Sequence, residues 1–205
     1  MKAMIRRDLY LSRRILLGAL IFVGLLGYFN KEIPPLTLIS LAGCFISIMY
    51  INMSFYNDET SHDIQYYLLV NHGQELYLKS KYFVSVFVAL VTALASLVYL
   101  ALAQDLASGM SIFLAGLNFS FLLVISGFLL VFFIYFGSQL GRYLVFVLWV
   151  AILSLSRFFQ PAMKSLIQRV LNNIPLSLLA ILALSLLFMG LSYFLSMKRL
   201  NQKDF

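Results

Sequence analysis

One cysteine among 205 residues, Cys44, is all the thiol chemistry the chain holds, and it stands inside an apolar run. That excludes a disulfide framework and a thiolate metal site. The two histidines, His62 and His72, lie in a polar interval without an H-E-x-x-H pattern, so they do not read as metal ligands. No G-x-x-x-x-G-K-S/T loop is present to cradle nucleotide phosphates. Ser40, Ser47, Ser126 and Ser154 fall within apolar runs with no Asp, Glu or His beside them to act as a base. They read as interhelical hydrogen bonders rather than nucleophiles. Charge is scarce as well: 11% of residues are charged, against about a quarter in a soluble domain.

What fills the chain instead is hydrocarbon. Hydrophobic residues make up 62% of it, which places it among integral membrane proteins. The net charge of +7 does not indicate nucleic acid, because the basic residues cluster beside apolar segments and form no soluble basic face. The expected architecture is an all-α polytopic membrane protein with six transmembrane helices, a single transmembrane domain over 1–205. The spans are read as Ile15–Phe29, Leu36–Phe55, Phe83–Ala103, Ile112–Phe136 with a tilt or kink near Ser126-Gly127, Tyr143–Leu155 and Pro175–Ser196. Most approach the roughly 20 residues that cross a bilayer. Gly137–Arg142 reads as a tight turn, and Ser156-Arg157 as the end of the fifth span.

Three segments are amphipathic or polar. Met1–Arg14 places Arg6, Arg7, Arg13 and Arg14 where they offer cationic heads to lipid phosphates, as an N-terminal interfacial helix does. Phe158–Ile174 interleaves apolar residues with Gln160, Lys164, Gln168 and Arg169, a pattern for an amphipathic segment outside the membrane between spans five and six. Tyr56–Tyr82 is the long polar interval and carries Asp58, Glu59, Asp63 and Glu75, four of the eight acidic residues. Hydrocarbon does not accept such a segment, so it reads as a surface docking element. Within it Ile64, Tyr67 and Leu68 recur at helical spacing as an apolar ridge, with Asp58, Glu59 and Asp63 as rim charges.

The positive-inside rule orients the whole. One side receives Lys2, Arg6, Arg7, Arg13, Arg14, Lys79, Lys81, Arg142, Lys198, Arg199 and Lys203, the other Lys31, Arg157, Lys164 and Arg169. Both termini and the polar interval are therefore expected in the cytoplasm. Asn52 and Asn118, polar side chains at membrane depth, are candidates for a substrate path, with helix packing as the alternative role.

Three phrases carry a resemblance: Ile5-Arg6-Arg7-Asp8-Leu9-Tyr10 at the start; Phe55-Tyr56-Asn57-Asp58-Glu59, then Tyr67-Leu68-Leu69 and Lys81-Tyr82; and Ser192-Tyr193-Phe194-Leu195-Ser196 with Lys203-Asp204-Phe205 at the end. With the order of spans, they make the chain resemble the permease subunit of bacterial type-2 ABC transporters over nearly its whole length. Where that branch usually has a Leu-Pro-x-Ser-Arg phrase, this chain has Val70-Asn71-His72-Gly73-Gln74.

The resemblance implies a chain that is not itself an enzyme. It implies a cytoplasmic coupling helix between spans two and three, about Thr60 to Leu69, that docks on a separate cytosolic ABC ATPase. ATP and magnesium would then belong to that partner, and this chain would need no cofactor. It further implies a second permease copy or a paralogue, a bacterial inner (cytoplasmic) membrane location, and export of a hydrophobic or amphipathic substrate such as a peptide, antibiotic or lipid-like molecule. The competing readings are a non-transporting membrane immunity or scaffold protein and a haem-exporter-like subunit for cytochrome c maturation.

Overall fold

The structure is a computed structural model that describes residues 5–8, 10, 13, 17, 18, 21, 24, 25, 28, 35–60, 73–103, 108–172 and 174–202. For 103, 108–110, 142, 144–146 and 148–172 it describes the backbone. The described residues are helical apart from a turn at Gln202, and none lies in a strand. Four long helices follow one another: α1 (Pro35–Thr60), α2 (Gly73–Ala103), α3 (Ser108–Asn172) and α4 (Ile174–Asn201). Each contains a stretch long and apolar enough to cross a membrane. The first expected span, Ile15–Phe29, lies mostly outside the described residues. Those of its residues that are described are helical, and Leu17, Ile21, Leu25 and Tyr28 are exposed at helical spacing.

Local chemistry explains the ends of the helices. Pro35 opens α1, where a missing N–H costs nothing. At the other end the Thr60 hydroxyl donates back to the carbonyls of Tyr56 (2.9 Å) and Asn57 (3.2 Å) in the last turn. Pro175 stands in the first turn of α4, and Lys198 and Arg199 in its last turn offset the negative end of the helix dipole.

The elements correct three expectations. Span two extends to Thr60 and span three begins ten residues early, at Gly73, so both ends of the polar interval are helical. The tight turn expected over Gly137–Arg142 is a break at one residue: Gly137 adopts φ 80° and ψ 177°, and helix resumes beyond it. The expected interruption at Ser156-Arg157 is absent, because the backbone stays helical from there to Asn172. A polar pair does not end a helix whose hydrogen bonds are satisfied along its own backbone. Within α3 the backbone leaves helical geometry at Gly137 and not at Ser126-Gly127.

α3 packs against α1, α2 and α4, and α2 also touches α1 and α4. The core joins Tyr50, Ile51 and Phe55 of α1, Leu78 of α2, and Leu122, Leu123, Leu130 and Phe133 of α3. Phe55 meets Phe133 at 5.5 Å between centroids and Tyr77 edge-on at 6.3 Å. Helices approach closely where one partner is small: a Cβ on Gly43 would stand 2.6 Å from Thr92 of α2, and one on Gly116 would meet the Leu178 side chain of α4. On the outside, Phe83, Phe87, Leu90, Leu94 and Val98 make an exposed apolar stripe along α2, as lipid-facing helices require.

Candidate functional site

Three charged residues gathered at the root of the polar interval do not face water. Asp8, Asp58 and Lys81 are each 1% exposed, and Arg7 is partly buried beside them. They come from three parts of the chain: the N-terminal segment, the last turns of α1 and the beginning of α2. Two carboxylates and two cations make the group neutral. That neutrality is what makes burial of four charges tolerable.

The hydrogen bonding is close to complete. Lys81 Nζ has three protons and three acceptors: Asp8 Oδ2 at 2.6 Å, Asp58 Oδ2 at 2.7 Å and the Ser54 hydroxyl oxygen. Ser54 in turn donates to Asp8 Oδ2 at 2.9 Å. The Arg7 guanidinium bridges the two acids, reaching Asp8 Oδ1 at 3.2 Å and Asp58 Oδ1. The Tyr77 hydroxyl donates to Asp58 Oδ2 at 3.0 Å. The rings of Tyr77 and Phe55 cover the ammonium at 5.0 and 5.7 Å, adding cation–π attraction and excluding water. Bonds of this kind are stronger in a low-dielectric interior, so the cluster cross-braces three segments.

Two smaller polar contacts extend the brace. Glu59, the next residue of α1, accepts the backbone N–H of Ser138 at 2.7 Å and the Ser138 hydroxyl. It thereby caps the helix that resumes after Gly137. Tyr82, beside Lys81, bonds Ser192 at 2.6 Å and Ser196 at 2.9 Å on α4, and Ser192 donates to the Gly127 carbonyl at 2.7 Å. Hence α1 is tied to α3, and α2 to α4, at the same end of the bundle.

The sequence-derived site residues separate into groups. Asp58 and Glu59 were expected as rim charges for a partner. Asp58 is instead enclosed by Arg7, Tyr77 and Lys81, because two nearby cations hold its carboxylate inside. Glu59 is exposed but engaged with Ser138. Asp63, Ile64, Tyr67 and Leu68 lie outside the described residues. Of the arginines expected at lipid phosphates, Arg6 and Arg13 are exposed, and Arg13 stacks on Tyr10 at 4.1 Å. Arg7 turns inward to the acids, and Arg14 lies outside the described residues.

Asn118 donates to Ser96 Oγ at 2.8 Å, joining α3 to α2. Asn52 and Asn118 each keep a buried amide oxygen with no hydrogen bond to the protein, among the described residues. Sequence reasoning did not assign Asp8, Ser54, Tyr77 and Lys81 to a site. Asp8 and Lys81 carry a signal in the rarity of charge, because an acid in a basic start and a lysine at the edge of an apolar run have few partners available; Ser54 and Tyr77 carry none.

A model of the family described as ABC-2 family transporter protein matches residues 3–201. No curated protein and no solved structure matches.

Proposed function

From the premise that this chain belongs to the ABC-2 transporter family and is a membrane permease of that type, we propose that it couples a partner's ATP hydrolysis to export. Permeases of this family are membrane components, not enzymes, and normally pair with a cytosolic ABC ATPase. In the proposed assembly that ATPase holds ATP and magnesium and grips the segment around Tyr67 and Leu68. Two permeases, identical or paralogous, then alternate between inward-open and outward-open arrangements. The chain forms one domain with six spans and both termini in the cytoplasm of a bacterial inner membrane. Its cargo is hydrophobic or amphipathic.

The observation that carries this reading is the buried ion cluster. Asp58 and Lys81 stand at the two roots of the polar interval and are joined directly at 2.7 Å. Asp8 and Arg7 fasten the N-terminal segment to the same pair. A push on the interval is therefore not absorbed by flexing at its base. It moves α1, α2 and the N-terminal segment together, which is what conversion of a cytosolic stroke into helix motion demands.

The test is co-purification of the ATPase and ATP-driven efflux in Tyr67→Asp and Leu68→Asp variants that insert normally. Loss of both supports the docking role. Undiminished association and efflux would remove it.

A further inference from the structure

Between α2 and α4 runs an open groove of about 480 Å³. Phe83 and Val86 line one side and Gly190 the other, while Lys79, Tyr82 and Tyr193 stand toward one end. Tyr82 and Tyr193 meet edge-on at 5.3 Å, and Tyr82 is fixed by its serine partners, so that end of the groove is rigid. Gly190 differs from the packing glycines. No atom lies within 4 Å of the place its Cβ would occupy, so the space beside it is unfilled by the protein.

The groove is amphipathic along its length. From Lys79 to Val86 the helix rises about 10 Å, and over that distance the lining passes from an ammonium to hydrocarbon. Phe83 and Phe87 beside it are more than half exposed and belong to the face that lipid chains cover. The Lys79 side chain is 51% exposed and pairs with Glu75 one turn back at 2.5 Å. An exposed pair at that spacing is weak, and a phosphate displaces or joins it readily.

We propose that this groove binds one anionic membrane phospholipid, its acyl chain along Phe83, Val86 and Gly190 and its phosphate at Lys79. Charge complementarity selects the occupant: a cation at the cytoplasmic end of an apolar trough in a lipid-facing surface matches an anionic head above a hydrocarbon tail. The inference requires that the chain spans a membrane and is independent of what it transports.

Native mass spectrometry of the full chain, released from vesicles of phosphatidylglycerol mixed with phosphatidylcholine, tests it. The wild type is expected to retain phosphatidylglycerol preferentially. Lys79→Gln should lower that preference roughly fivefold. Gly190→Phe fills the open space and should abolish retention of both lipids. Thermal melting verifies folding, and Lys79→Gln, at an exposed side chain, carries the test if the bulkier variant does not fold. Absence of headgroup preference in the wild type, a preference unaltered in Lys79→Gln, or undiminished retention in a folded Gly190→Phe would each overturn the proposal. So would loss of a dimer in place of lipid, which would identify a second copy as the occupant.

Discussion

Lys81 shows how a single side chain decides whether its surroundings are stable. Its ammonium, together with the Arg7 guanidinium, neutralises two buried carboxylates and has no proton left over. Lys81→Met removes the cation and leaves Asp8 and Asp58 with Arg7 alone, so the interior carries an excess negative charge. The expected loss is about 3–5 kcal/mol, read from thermal or denaturant unfolding in micelles. Lys81→Met combined with Asp8→Asn restores neutrality and is expected to recover part of that loss. Failure of the double variant to improve on the single one would mean that hydrogen-bond geometry, not charge balance, governs the site. At Tyr82 the stake is smaller. Tyr82→Phe leaves Ser192 and Ser196 without their common partner and should cost about 0.5–1.5 kcal/mol.

At the scale of elements, the break in α3 is the feature to test. Gly137 sits at φ 80° and ψ 177°, a region nearly reserved for glycine that costs a residue with a Cβ about 1–3 kcal/mol, and that Cβ would also come within 3.1 Å of Glu59. Gly137→Ala is therefore expected to destabilise, and Glu59→Ala to cost about 1 kcal/mol through loss of the cap on Ser138. Because both act on one junction, their effects should not add in a double-mutant cycle.

This junction also marks how far the sequence could be read. The apolar runs of α1 to α4 announce themselves by length. The Gly137 break shows in the sequence only as a run of glycine and serine, which reads as a whole turn and is a break at one residue. The polar side chains of Tyr56–Thr60 and Gly73–Tyr82 set the expected span ends at Phe55 and Phe83, whereas the helices run through these residues. Those side chains are satisfied by partners elsewhere in the chain, among them Ser138, Asp8 and Ser192, and a single sequence offers no signal that pairs residue 8 with residue 81.

For the molecule as a whole, the orientation is the claim with widest reach. A membrane-impermeant thiol label on Gln168→Cys, in a chain also carrying Cys44→Ser, is expected to react from outside the cell. Labelling from the cytoplasmic side alone would reverse the assignment of both termini. The described helices agree with the proposed arrangement in one respect: the buried ion cluster, Tyr82 and the basic last turn of α4 all lie toward the same end of the bundle.

The bond between Lys81 and Asp8 spans 73 positions of chain. At ordinary rates of synthesis that separation amounts to roughly 4–15 s during which the opening residues have been made but their counterpart has not. Throughout that interval Asp8, beside Arg7, is without its lysine partner. Only when the later helix emerges does the segment around Asp8 acquire its partner.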